Sequence, residues 1–472
     1  MAMKNAPLKK SRRSFLKKLG AAAAAAAGAP FLLGAARPRR NVRILELAAE
    51  PARRVAPNDR IRIACIGTGG MGMGDVDTAL KVGGVEIVAA CDLYDGRLAR
   101  AREKWGQDLF TTRDYHEILA REDVDAILCA TSDHWHEAVS VAALRAGKAV
   151  YCEKPMVRTV EEGHRLLRAE QETGRLFQVG SQYVSGLVPT KARALFEAGE
   201  IGALNFVEAM FDRHSPLGAW QYSIPLDASE ETIDWQRYTA NTTRRPFDAK
   251  RFFRWRNYLD YGTGVAGDLF VHLLSELHYI TGAHGPTAVA SSGGLRYFKD
   301  GREVPDIQIG LFDYPETKHH PPFNLVLRAN FVDGSGGQYL FRLVGDEGEI
   351  RVGWDTVKVT RRPWPKAPGK AIDSFSEEGR KAFEQWYDAA HPAHYEMEGP
   401  ASIEYRTPKN YPGDRHLHLR NFFASLRDGT PSVEDATFGL RAAGPTLAGN
   451  QSYFEKRVVD WDPERMRITT RL

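Results

Sequence analysis

The stretch IRIACIGTGGMG, residues 61–72, constrains this chain more than any other. An apolar run ends in Gly67-Thr68-Gly69-Gly70-Met71-Gly72, and MGMGDVDTALKVG then reads as a helix. A G-x-G-x-x-G that closes a strand and opens a helix lets the backbone approach a pyrophosphate at the helix N-terminus. Asp92 lies 25 residues beyond Gly67, at the end of the next apolar run, VEIVAACD (85–92). A carboxylate there accepts hydrogen bonds from ribose hydroxyls and repels a 2′-phosphate, which favours NAD over NADP. Further apolar runs, VDAILCAT (124–131), KAVYCEK (148–154) and RLFQVG (175–180), alternate with the helical patterns SDHWHEAVSVAALRAG and TVEEGHRLLRAEQETG. That alternation predicts a parallel sheet covered on both faces.

Ligands of such sheets sit at the carboxyl ends of the strands. This places Thr131, Asp133, His134 and His136 on one part of the rim, and Glu153-Lys154-Pro155 on the next. Two histidines beside a helix start, with no third ligand indicated, make a poor metal site. They read as helix-start and cofactor-rim residues, and no metal is expected.

The N-terminus carries a different instruction. Residues 1–18 hold seven Lys/Arg and no acid, and a weakly apolar alanine-rich run to Ala36 ends in small residues. Residues 1–36 therefore read as a signal peptide, with 37–57 as a linker. Arg12-Arg13-Ser14-Phe15-Leu16-Lys17 resembles the twin-arginine signal, whose route carries folded proteins. The expected location is periplasmic, or membrane-anchored if the segment stays uncleaved. The export machinery is then a partner. The chain's net charge of +4 falls to about −3 without this segment, and no basic block remains to argue for nucleic acid. Cys65, Cys91, Cys129 and Cys152 all fall in apolar runs and read as small core residues.

With GTGGMG, TSDHWHEAV, AGKAVYCEKP and VGSQYVSG in that order, the chain resembles the Gfo/Idh/MocA oxidoreductases. The likeness continues through FEAGEIGALNFVEA (196–209), GTGVAGDLFVHLL (262–274), LVGDEGEI (343–350) and residues 418–462. It implies an α/β Rossmann domain (58–182) and an α+β C-terminal domain (183–460). The second domain would hold a large, mostly antiparallel open sheet that serves homo-oligomer contacts. ALNFVEAMFDRH, TAVASSGGLRYF, DIQIGLFDYP, FNLVLRANFV, GQYLFRLVGD and EIRVGW have matching strand composition. The segment 361–412, with seven prolines, reads as a long ordered loop with one helical piece, and the last helical stretch folds back towards the first domain.

The resemblance also assigns chemistry. It implies that Lys154 points at a reacting hydroxyl, with Glu153 fixing the cofactor or the lysine, and that Gln182 belongs to the cofactor edge. Asp268 and His272, four apart in GDLFVHLL, would share a helix face. His272 is then the general base, with Asp268 orienting it or binding substrate. A common family version has three adjacent glycines and a carboxylate three residues after the histidine. Here Thr263 interrupts the glycines, and Ser275 followed by Glu276 replaces the carboxylate. Residues 220–261 hold ten aromatics, and Arg254, Trp255 and Tyr258 are the candidate substrate contacts.

The expected function is an exported oxidoreductase acting on CH–OH groups. It would pass hydride between a sugar, glycoside or cyclitol and a tightly bound NAD, NADP being the less favoured cofactor. Two alternatives use the same residues: an NAD-dependent glycosidase working by transient C3 oxidation and elimination, and a non-catalytic sugar- or nucleotide-binding protein. The intact Lys154, Asp268 and His272 count against the last.

Overall fold

A computed structural model describes residues 42–48, 59–362, 370–390 and 400–469. The predicted signal peptide lies outside the described residues. Strand β1 (Val42–Glu46) lies within the stretch read as a linker. It pairs in parallel with a strand near residue 404, because VRILE is β-branched and apolar enough to extend a sheet edge.

The parallel sheet comes next in the chain: β2 (Ile61–Ile66), β3 (Val85–Cys91), β4 (Phe110–Thr112), β5 (Ala126–Cys129), β6 (Ala149–Cys152) and β7 (Phe177–Val179). Its spatial order is β4-β3-β2-β5-β6-β7, and every pairing is parallel. Both faces are buried, which is why these strands are continuously apolar rather than alternating. Ile61, Ile63 and Cys65 of β2 pack with Val76 of the Gly70–Ala79 helix and with Leu419, Phe422 and Phe423. Ala64 and Ile66 face the other way, with Val139 and Ala143 of the Asp133–Arg145 helix. The Asp414–Asp428 helix thus returns from the end of the chain to cover the first sheet. All four cysteines are buried and free.

The remaining strands are β8 (Leu204–Phe211), β9 (Ala288–Gly294), β10 (Ile307–Tyr314), β11 (Phe323–Asn330), β12 (Tyr339–Gly345), β13 (Gly348–Val352), β14 (Thr356–Arg361), β15 (Ser402–Arg406), β16 (Val459–Asp462) and β17 (Arg467–Thr469). With β1 they form one sheet, ordered β1-β15-β14-β13-β12-β8-β11-β10-β9-β16-β17. Only β1–β15 and β8–β11 pair in parallel. Strand β15 falls inside the stretch expected to be loop; SIEYR is a strand sequence that its proline-rich surroundings obscured. Strand β10 shows how the sheet faces differ. Gln308, Phe312 and Tyr314 are buried against the helices, whereas Ile309 and Leu311 are 40% and 52% exposed. The chain is therefore an α/β Rossmann fold followed by a large, mostly antiparallel sheet with one covered face.

Candidate active site

The strand–turn–helix at residues 61–79 opens a cavity of about 960 Å³. Gly67 has φ +94°, and a Cβ there would meet the Ala130 carbonyl oxygen at 2.5 Å. A Cβ on Gly72 would meet the Gly67 oxygen at 2.0 Å, so only glycine lets the helix start this close to β2. Gly69 caps the helix without any side-chain hydrogen bond, and Gly69, Gly70 and Met71 line the cavity. The uncapped first-turn N–H groups face open space, which fits the pyrophosphate of a dinucleotide.

Asp92 is buried at the end of β3. It accepts from the Thr68 backbone N–H at 2.9 Å and the Tyr94 N–H at 3.1 Å. Arg97 reaches both of its oxygens at 3.4 Å. Thr68 thus bonds to Asp92 instead of lining the cavity, and Gly72 packs behind it. Thr131, His136, Glu153 and Lys154 line the cavity as expected from their rim positions. His136 is held between two carbonyls, Pro155 at 2.7 Å and Thr131 at 3.1 Å.

Nine residues of the sequence reading do not line the cavity: Thr68 and Gly72, the buried Asp268 and His272, and Asp133, His134, Gln182, Arg254 and Tyr258. Asp133 is buried and accepts from the backbone and hydroxyl of Thr263, so the residue that interrupts the glycines has a partner of its own. His134 bonds the Tyr238 carbonyl among the rings of Tyr238 and Tyr261, and burial pushes its pKa down to about 3. Gln182 opens a short 3-10 turn away from the lining. Arg254 donates to the Tyr222 carbonyl, and Tyr258 is buried under the Arg251 guanidinium. Trp255 does line the cavity, with the Arg256 guanidinium 4.1 Å from its ring.

Lys154, Asp268 and Arg256 form a buried cluster. The Lys154 ammonium donates to the Asp268 carbonyl at 2.9 Å and to its carboxylate at 3.1 Å. Arg256 Nε donates to the same carboxylate oxygen at 3.0 Å. Burial alone would raise the Asp268 pKa, but Lys154, Arg256 and Arg213 outweigh it and hold the acid far below the usual range. Among the described residues no hydrogen bond joins Asp268 to His272. Asp268 sits in a single π-helical turn, Ala266–Phe270, ahead of the Val271–Thr281 helix. His272 is buried, with its ring 5.0 Å from that of Tyr183 and its Nδ1 without a partner. Burial first, and then the Lys154 charge, lower its pKa, so the imidazole is neutral.

The far wall was not anticipated from sequence. Phe211 and Arg213 from the end of β8, Tyr339 from β12, and Trp354 all line it. Tyr339 stacks on Trp354 at 4.2 Å, and its hydroxyl bonds the buried Glu276 carboxyl. At the opposite end, Arg97, Arg113 and Arg237 also went unread. The available signal was positional: strand-end residues line a cleft whatever their type. No cluster of three metal-ligating side chains occurs among the described residues.

Fold and site together define the class: a dinucleotide-type Rossmann module whose cleft is closed by residues from a second, sheet-based part. Residues 61–181 match the family model of the Gfo/Idh/MocA oxidoreductases, described as an oxidoreductase family with an NAD-binding Rossmann fold. The inositol 2-dehydrogenase of Salmonella paratyphi B is 39% identical over 127 residues, covering 26% of this chain and 37% of that protein. Inositol 2-dehydrogenase 1 of Saccharopolyspora erythraea is 35% identical over 147 residues, 30% of this chain and 43% of the relative. Both alignments thus span less than half of the relative. Among solved structures, a levoglucosan dehydrogenase in complex with NADH covers 85% of this chain and 99% of its own, at 17% identity and a TM-score of 0.61. The WlbA dehydrogenase from Bordetella pertussis, in complex with NADH and UDP-GlcNAcA, covers 86% and 99% at 16% identity, also with a TM-score of 0.61. These likenesses extend the shared fold over nearly the whole described chain.

Proposed function

We propose that this protein is an exported NAD-dependent dehydrogenase acting on a secondary alcohol of a sugar, glycoside or cyclitol. One observation carries the reading: Lys154 and Arg256, both bonded to the buried Asp268, line the same cavity that begins at the uncapped glycine turn. The family model at residues 61–181, the inositol dehydrogenase relatives and the NADH-bound structural neighbours support it.

The first-turn N–H groups of the Gly70–Ala79 helix would hold the pyrophosphate, and Asp92 the adenosine ribose hydroxyls, its charge favouring NAD over NADP. A bound nicotinamide supplies the hydride acceptor or donor. The chain's own residues supply position and proton chemistry. Lys154 has three donors and spends two on Asp268, which leaves one for the substrate hydroxyl. That contact strengthens as the oxygen gains negative charge. His272, kept neutral, accepts the proton. Export follows from the twin-arginine-like signal at residues 12–17 and implies a cofactor retained from the cytoplasm. Self-association through the open sheet face belongs to the same proposal, supported by the exposed Ile309 and Leu311 and tested by light scattering.

The direct experiment is native mass spectrometry of the purified protein, followed by a carbohydrate screen read by cofactor absorbance. Bound NAD(H), together with a change in absorbance on adding a sugar or cyclitol, is the expected result. A protein that binds no nicotinamide dinucleotide, added or resident, overturns the reading.

A further inference from the structure

Five arginines line the main cavity: Arg97, Arg113, Arg213, Arg237 and Arg256. Four of them have carboxylate partners. Arg97 meets Asp92, Arg113 meets Asp95, Arg237 meets Asp114 and Asp234, and Arg256 meets Asp268. Arg213 forms no ion pair among the described residues. Among the described residues its guanidinium makes one hydrogen bond, from Nη1 to the Gly218 carbonyl at 2.9 Å. The guanidinium is held 4.9 Å from the Phe211 ring and 5.8 Å from the Phe331 ring. The carboxylate next to it in the chain, Asp212, is committed to Arg328 on a neighbouring strand.

The position is built rather than incidental. Arg213 N donates to the Asn330 carbonyl, and Asp212 exchanges backbone hydrogen bonds with Gln338. Gly337 has φ +84°, and a Cβ there would press on the Arg213 Cα at 3.4 Å, so a glycine lets this loop close over the arginine. Burial lowers the Arg213 pKa, the signature of a cation partly removed from water without full compensation. An arginine does not escape that cost by losing its proton, so an anion must supply the balance.

The one carboxylate whose charge reaches it strongly, Asp268, makes no ion pair with it. Lys154 and Arg256 already share Asp268 through hydrogen bonds. The substrate end of the cavity is therefore in excess of positive charge. Beside Arg213 stands an aromatic wall: Phe211 with Trp354 at 5.5 Å, and Trp354 stacked on Tyr339. Aromatic faces cover the C–H face of a sugar ring, and a guanidinium fork matches a carboxylate bidentately.

We propose that the substrate is an acidic sugar, a hexuronic acid or its glycoside, whose ring lies on Phe211 and Trp354 and whose carboxylate pairs with Arg213. This inference rests on the dehydrogenase reading above and names its substrate class. A carboxylate, with its single charge, suits one unpaired arginine better than a phosphate dianion does.

The test uses the full-length protein with NAD, and matched methyl hexuronides, methyl hexosides and hexose 6-phosphates of gluco, galacto and manno configuration. Initial rates and the thermal midpoint of the NADH complex are recorded for each. At least one hexuronide is expected to exceed its hexoside and its 6-phosphate in kcat/KM by about 30-fold or more, the scale of a lost buried polar contact. Arg213→Gln should collapse that ratio to within about threefold, and Arg213→Lys should keep part of it, while an NADH titration confirms an intact nucleotide site. Equal handling of hexuronides and hexosides, a preference for the 6-phosphates, or a ratio unchanged in Arg213→Gln overturns this inference alone. Failure to oxidise or bind any sugar of the panel, with no sugar or cyclitol changing cofactor absorbance in the broader screen, overturns it together with the reading on which it rests.

Discussion

At the residue scale Asp268 carries the most consequence, because two buried cations depend on one carboxylate. Replacing it with Asn leaves both uncompensated and should lower the unfolding free energy by about 3 kcal/mol, measured by urea titration. Its pKa is depressed in the fold, so its contribution is present above the unfolded carboxylate value of about 3.9 and is lost as pH falls towards the folded value. The wild type should thus lose more stability than Asp268→Asn as the pH falls below about 4. Lys154→Ala is milder for the fold, since Arg256 still pairs with Asp268. It should cut hydride transfer by about 100-fold or more while NADH titration stays near wild type. Glu276 behaves oppositely: burial raises its pKa to about 8, with the Tyr339 hydroxyl as its partner. Its stabilisation is complete below about pH 4.3 and declines as pH rises towards 8. Glu276→Gln should therefore flatten the fall in thermal midpoint between pH 5 and pH 9, roughly the window set by these values.

At the element scale, the legible parts were those whose pattern is local. The runs at 61–67, 85–92, 124–131, 148–154 and 175–180 contain β2, β3, β5, β6 and β7, because strands buried on both faces are apolar throughout. Strands β14 and β15, like β1, went unread. Their sequences are short and partly polar, and the β1–β15 and β14–β15 pairings join segments far apart in the chain, as Val42 with Ser402. The π-helical turn at Ala266–Phe270 was invisible for a different reason. Nothing in AGDLF distinguishes it from an α-helix, and nothing in the sequence announces that Asp268 meets Lys154 and Arg256. The glycine turn is the element most exposed to test. Gly72→Ala places a Cβ 2.0 Å from the Gly67 carbonyl oxygen, so the turn must open. NADH affinity should fall by about tenfold or more, about 1.4 kcal/mol, read by fluorescence titration. The Asp414–Asp428 helix gives a second test through packing. Phe422 is fully buried against the parallel sheet, and Phe422→Ala should cost about 3–5 kcal/mol of stability although it lies outside the nucleotide-binding segment in sequence.

At the scale of the whole molecule, the two halves were legible to different degrees because the site is assembled from both. The nucleotide end comes mainly from one contiguous stretch, Gly67 to Lys154, joined by Arg237, and its glycines and Asp92 announce their chemistry. The substrate end is drawn from Phe211, Arg213, Tyr339 and Trp354, which only the sheet topology brings together. The same assembly bears on the proposed export. The Asp414–Asp428 helix is part of the nucleotide-binding sheet's core, so the cofactor site is complete only when the chain has folded to near its end. A chain that met its cofactor after crossing a membrane unfolded would find no nicotinamide pool outside. A chain that folds first carries the cofactor with it, and the four free, buried cysteines accord with folding in a reducing compartment. Protein recovered from the periplasm of the expressing cell should therefore contain close to one nicotinamide nucleotide per chain, measured by acid release and mass spectrometry. Replacing Arg12-Arg13 with Lys-Lys should hold the protein, still loaded, in the cytoplasm. Periplasmic protein that is folded yet empty, and active only with added NAD, would separate export from cofactor retention and remove the argument that ties the signal to the site.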